Sequence, residues 1–181
     1  MEKTRYITFA TSIPKKFNII RDECHGIVKP FGGLWGCRNG EWREWCEKED
    51  FPCPETAFSW QLKDTAKLYT IDTEFDLLKL LVDYPKQYFH RTNDIDWYQM
   101  WKDGWDAVEI TENANNRMHT GVRVPLGESY IADKLYNNCE SNCYTMGLNT
   151  WDVPSICVFD ANNTIEDIRW LEPVGAQDVI S

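Results

Sequence analysis

The residues best suited to chemistry lie in Lys29-Pro30-Phe31-Gly32-Gly33-Leu34-Trp35-Gly36-Cys37, with Trp42 and Trp45 close behind. Gly32 and Gly33 permit positive φ and the close approach of another group. Trp35 places a flat ring directly after that open backbone. The combination suits a pocket in which a planar heteroaromatic ring stacks on the indole while main-chain amides hold its polar edge, as in sites for nucleotides and nicotinamide. The competing reading is an ordinary turn with Trp35 in the core. Trp42 and Trp45, spaced i, i+3 on a helical pattern, read as core rather than as part of a ligand site.

Other chemistry-bearing residues carry weaker patterns. The seven cysteines are Cys24, Cys37, Cys46, Cys53, Cys139, Cys143 and Cys157, an odd number without a Cys-x-x-Cys pair. Cys24-His25 with Cys37, Cys46 and Cys53 has zinc-ligand chemistry. The spacing matches neither a zinc ribbon nor a secreted disulfide framework, so free, partly buried thiols and no metal are expected. His25, His90 and His119 have no partner at catalytic spacing. Arg117, His119 and Arg123 offer phosphate contacts, against the plainer reading of a solvated loop. Gly-x-Gly-x-x-Gly, a phosphate-binding loop with Lys-Ser/Thr, Gly-x-Ser-x-Gly and His-Glu-x-x-His are all absent from the sequence.

These residues must be positioned by a chain of 181 residues, long enough for one domain that buries roughly 70% of its unfolded surface. Nine Trp point to an aromatic-heavy core, each indole N–H needing a partner. The net charge of −10, from 29 acidic and 19 basic residues, opposes loose binding to nucleic acid and suits a basic protein partner. No apolar run reaches the ~18–20 residues of a membrane span, and Met1-Glu2-Lys3-Thr4-Arg5 has no apolar signal-peptide region. A cytoplasmic protein, in its producer or in a host, is the expectation.

Alternating β-formers over 5–9 predict a first strand, broken by Ala10 to Pro14. Residues 19–28 are ambiguous, and a turn leads into a short strand at 34–35. A helix is expected over 41–49, strands over 56–62 and 66–71, and then a helix capped by Asp72 or Thr73. That helix would bury Phe75, Leu78 and Leu81 or Val82. A short helix over 96–102 and a strand over 107–111 follow. Residues 112–150, rich in Asn, Gly and Ser, read as a long functional loop with a helical candidate at 129–135. Strands at 156–159 and 165–171 close an α+β domain that spans 1–181, with helices at the edges of short strands.

In this order the segments resemble the ADP-ribosyltransferase superfamily. Phe31-Gly32-Gly33-Leu34-Trp35-Gly36-Cys37 is similar to the family's Gly-x-Gly-Ile-Tyr-Phe-Ala stretch, with Trp35 at the nicotinamide-stacking aromatic. It is also similar to the Phe-Gly-Gly-Leu-Phe-Gly-Ala segment of a phage anti-CRISPR member of the family. Pro154-Ser155-Ile156-Cys157-Val158-Phe159-Asp160, with 165–171, looks like the closing pair of strands. The resemblance implies short, mostly antiparallel strands in split sheets with peripheral helices. It implies NAD as the cofactor and transfer of ADP-ribose to a macromolecular acceptor, as in a toxin, a phage counter-defence factor or a defence effector. The 112–150 stretch falls where the family carries its target-recognition loop.

Two family positions differ. No His or Arg stands on the first strand around Thr8 to Ser12, where Thr8, Thr11 or Ser12 would have to bond the ribose. Ser155 stands where the family has Glu. Cleaving the nicotinamide–ribose bond passes through an oxocarbenium-like state, which needs a nearby carboxylate. The resemblance makes Asp152 the first candidate, with Glu112 and Glu109 as rivals. Each also has a plainer reading: Asp152 as a turn cap, and Glu109 and Glu112 as solvent-facing residues alternating with apolar ones. Gly32, Gly33, Leu34, Trp35 and Ser155 would hold the cofactor. The alternatives are water as acceptor, which makes a NAD glycohydrolase, and an acidic, non-catalytic binding protein on the same scaffold.

Overall fold

The computed structural model describes residues 3–23, 29–88, 91–118, 122–125, 143–146 and 151–171. Strand β1 (Arg5–Phe9) pairs antiparallel with β3 (Ala57–Leu62), which pairs antiparallel with β11 (Ile165–Leu171). A second, four-stranded sheet has the order β2 (Leu34–Gly36), β10 (Ser155–Val158), β7 (Ala107–Ile110), β4 (Leu68–Ile71). Within it β10 runs antiparallel to both neighbours, while β4 and β7 are parallel. The chain is therefore a mixed α/β protein of the α+β kind. The two sheets meet at a bridge in which Ile7 and Cys37 exchange backbone hydrogen bonds of 2.7 and 3.0 Å.

The helices follow from local chemistry. Gly40, with φ +83°, leads into α1 (Glu41–Lys48), whose first turn carries Glu41 and Glu44 at the positive end of the helix dipole. Thr73 caps α2 (Glu74–Asp83), and the Asp76 carboxylate accepts from the Thr73 amide at 2.8 Å. The buried face of α2 is Leu77, Leu78, Leu80 and Leu81, whereas Phe75 is 65% exposed. Leu78 and Leu81 thus lie on the expected face, and Phe75 alone departs from it because it falls in the first turn, before the helix has reached the core. The Asp96 side chain accepts from the Gln99 amide and starts α3 (Trp97–Lys102), which buries Trp97 and Met100.

Three segments differ from expectation. Strand β5 (Pro85–Tyr88) pairs with β6 (Arg91–Ile95) where the sequence suggested no element. Residues 112–150 are not one loop. They begin with α4 (Glu112–Met118) and include β8 (Val122–Pro125), paired antiparallel with β9 (Cys143–Met146). The helical candidate at 129–135 lies outside the described residues. Between β10 and β11 the short helix α5 (Ala161–Thr164) is started by the Asp160 side chain.

Two apolar clusters explain why the second sheet is buried on both faces. Val108, Ile110 and Cys157 point into a cluster with the leucines of α2, Met100, Trp151 and Phe159. Ala107, Ile156 and Val158 point the other way, toward Tyr6, Phe58 and Trp60 of the first sheet. Alternation along a strand sends successive side chains to opposite faces. Here both faces are covered, so every position of β7 is buried.

Candidate functional site

The join between the sheets opens into a cavity of about 330 Å³. Strand β1 contributes Ile7, Thr8 and Phe9, and β2 contributes Trp35 and Gly36, with Cys37 just after it. Trp42 comes from α1, Lys29 from the segment before β2, and Asp152, Val153 and Ser155 from the approach to β10. Residues separated by more than a hundred positions are therefore brought to one cleft, at a size near the low end of small-molecule sites.

The glycines act one step behind this cleft. Gly32 and Gly33 have φ of +89° and +71°, and a Cβ on them would lie 2.8 Å from the Ile19 carbonyl oxygen and 2.7 Å from that of Val158. A side chain at either position would collide with backbone, so the pair fixes the entry to β2. Neither lines the cavity. The Gly32 carbonyl accepts from Trp35 Nε1 at 3.0 Å and fixes the indole. Trp151 meets Trp35 edge-on, with ring centroids 4.9 Å apart. The Trp151 carbonyl in turn accepts from the buried Asn115 side chain of α4 at 2.6 Å. Helix α4 thus anchors the residue next to Asp152.

Asp152 and Lys29 form the polar end of the cavity. Asp152 Oδ2 lies 3.8 Å from Lys29 Nζ, with side chains 30% and 27% exposed, and the ammonium sits 4.9 Å from the centre of the Trp35 ring. Burial lowers the pKa of the Lys29 amine below the ordinary lysine value, and the Asp152 carboxylate opposes that shift. Burial pushes the Cys37 thiol up to about 11 and the Cys157 thiol higher still, so neither is a nucleophile near neutral pH.

The hydroxyls are already committed. Thr8 Oγ1 donates to the Trp35 carbonyl at 2.6 Å and accepts from Trp60 Nε1 at 2.9 Å. Ser155 Oγ donates to the Val153 carbonyl at 3.0 Å. Both residues line the cavity, but their hydroxyls tie its walls together. Thr11 and Ser12 lie exposed beyond the end of β1, outside the lining, and Leu34 is buried in the second apolar cluster.

Glu109 and Glu112 face a neighbouring cavity of about 220 Å³, bordered also by Tyr6, Arg38 and Glu41; Cys37 and Ser155 border both. Glu109 does not face solvent as its alternation suggested. It is 3% exposed, because the first sheet covers that face of β7. Arg38 compensates it with two hydrogen bonds of 2.6 Å, Nε to Oε1 and a terminal nitrogen to Oε2. Burial, with Glu109 beside it, raises the pKa of the Tyr6 phenol well above the ordinary tyrosine value. Glu112 is exposed at the start of α4.

The sequence pattern gives no role to Phe9, Arg38 or the Lys29 ammonium, and Trp42, whose spacing predicts core, is half-buried at the cleft. The available signal for Arg38 and Lys29 was a cation at either end of an otherwise uncharged stretch. Trp42 stacks on Trp45 at 4.9 Å, and both pack on Phe51 outside the main clusters.

Among the described residues no group of three or more His, Cys, Asp or Glu is placed to hold a metal, and Cys24 and His25 lie outside them. Cys37, Cys46, Cys53 and Cys157 are free thiols. No described helix is long and apolar enough to cross a membrane. Compared with known proteins, the chain matches no family model, no curated protein and no solved structure.

Proposed function

We propose that this chain is a mono-ADP-ribosyltransferase-like protein, with the Trp35–Asp152 cavity receiving the nicotinamide end of NAD. The supporting observation is the convergence of an immobilised indole and a partly exposed carboxylate on one cleft of about 330 Å³. The two sheets that meet at the cleft agree with the split-sheet architecture of that superfamily. NAD would supply the scissile glycosidic bond, whose cleavage develops positive charge on the ribose. Asp152 stabilises that charge and can take the acceptor's proton. Trp35 holds the leaving ring, with Phe9 and Trp42 excluding water. Thr8, its hydroxyl committed on both sides, acts in the wall rather than on the ribose.

The acceptor is a macromolecule, in keeping with a toxin, phage counter-defence factor or defence effector. Water as acceptor uses the same residues. Release of free nicotinamide from NAD by the protein, alone and with a cell extract as the source of acceptors, tests the reading. Asp152→Asn should lower release by about 10²-fold or more, and Trp35→Ala should abolish binding while the fold persists. Retained release in a folded Asp152→Asn variant would remove Asp152 from the chemistry.

A second reading has its own support. Thr8 and Ser155, standing at family positions for ribose and acid, are both consumed by internal hydrogen bonds. With a net charge of −10, this suits an acidic protein that occludes a basic partner. Partner binding that survives the joint change of Trp35 and Asp152 would favour it.

A further inference from the structure

We infer that Lys29 is an internal occupant of the cation subsite, its ammonium holding the place over Trp35 and beside Asp152 that a positively charged ring takes when it binds. The inference rests on the reading of the cavity as a nicotinamide site, and it names the ligand charge against which Lys29 competes: that of the cationic pyridinium form.

The argument starts from what surrounds the ammonium. An indole face attracts a cation within about 6 Å of its centre, and more strongly where water is excluded. Lys29 Nζ lies at 4.9 Å from the Trp35 centre and 3.8 Å from Asp152 Oδ2. A face of high electron density and a carboxylate, converging on one point in a largely apolar cleft, form a cation-recognition pair. A pyridinium ring carries the same charge and adds a flat surface for Trp35, so it competes for the same two attractions. Both positive charges cannot share the cleft at such distances, because partial burial strengthens their repulsion. The cationic ring must therefore displace the Lys29 head. Its four-carbon stem gives the ammonium the reach to move aside without displacing the backbone.

Neutral rings meet a different balance. They too must move the ammonium off the Trp35 face to stack, but they gain nothing from Asp152 and do not repel the displaced charge. Removing the Lys29 charge should thus help a cationic ring clearly more than a neutral one.

The charged and titratable groups around Lys29 make the effect depend on pH in one direction. Asp152 faces it from the approach to β10 and Cys157 from β10 itself, while Cys37 lines the same cavity and Cys46 of α1 lies near Asp152. Burial raises the pKa of all three thiols, so they stay neutral as pH rises toward the alkaline range. Lys29, whose pKa is lowered, loses its proton before an ordinary lysine does. Competition then fades, and affinity for a cationic ring rises with pH.

The experiment is titration calorimetry with 1-methylnicotinamide as the cationic probe and nicotinamide as the neutral one, on the wild-type protein, Lys29→Met and Lys29→Arg. Lys29→Met keeps the apolar stem, and Lys29→Arg keeps the charge as a control for folding. The expected result is a gain of about tenfold for 1-methylnicotinamide in Lys29→Met alone, a change under about threefold for nicotinamide, and loss of the upward pH trend. An unchanged or weakened cation affinity in Lys29→Met overturns the inference, as does the absence of binding by either probe to any variant. NAD turnover read in parallel separates the two claims. Asp152-dependent nicotinamide release without the Lys29→Met gain sinks only the inference. The gain without any release, even when a cell extract supplies macromolecular acceptors, upholds the cation subsite and sinks the transferase reading.

Discussion

The two neighbouring cavities each hold a carboxylate and a cation, and they use the pair differently. At Glu109 the match is complete: two 2.6 Å hydrogen bonds from Arg38, on a carboxylate buried between two sheets. At Asp152 the cation stands at 3.8 Å, partly exposed and shared with an indole face. A carboxylate bonded on both oxygens has little capacity left for a ligand. One held loosely by a cation on a flexible stem can exchange that cation for another. The contrast separates a carboxylate that holds the sheets together from one that is available for chemistry, although both border a cavity.

The largest effect should come from Arg38→Ala, which leaves the Glu109 carboxylate buried without its cation. Breaking a buried pair from one side costs about 3–5 kcal/mol, and the half-exposed Arg38 side chain places this case near the lower end. Denaturant unfolding should show that loss, and Arg38→Met with Glu109→Gln together should recover most of it. Single and double variants of equal stability would erase the distinction between the two cavities.

Asn115→Ala should have an intermediate effect. It removes the 2.6 Å bond to the Trp151 carbonyl and leaves that acceptor buried, at a cost of about 1–3 kcal/mol. It should also loosen Trp151 against Trp35 and so weaken ligand binding without touching the ligand. A stability loss with unchanged binding would show that α4 supports the fold and not the cleft.

The smallest effect should be the stability change of Asp152→Asn, within about 1 kcal/mol, because a 3.8 Å, partly exposed ion pair contributes little. Combined with the loss of nicotinamide release, this would sharpen the contrast: function without stability at Asp152, stability without direct chemistry at Glu109. A large destabilisation on Asp152→Asn would make the two carboxylates alike.

Much of the fold was legible because local patterns agreed with it. Apolar alternation bounded by turns located β1, β3 and β11, and the i, i+3, i+4 pattern of Trp42, Trp45 and Cys46 located α1. The Gly32-Gly33 pair located the entry to β2, since positive φ at consecutive residues is a local property. The hairpin of β5 and β6 was missed, for its segments carry mixed polar residues with little alternation. The β8–β9 pair joins strands 18 or more residues apart, beyond the reach of any local pattern.

By itself the sequence determined the residue types that matter at the cleft: an indole after two glycines, a carboxylate ahead of a late strand, and the run of elements that could bring them together. Those are properties of side-chain chemistry and backbone freedom, carried by a few adjacent residues. Only the tertiary structure decided which carboxylate is buried and which is available, that the Thr8 hydroxyl is spent within the wall, and that Lys29 lies over Trp35. Each of those outcomes depends on which faces of a sheet are covered and on what stands a few ångströms away from a distant part of the chain, and no local spacing encodes that.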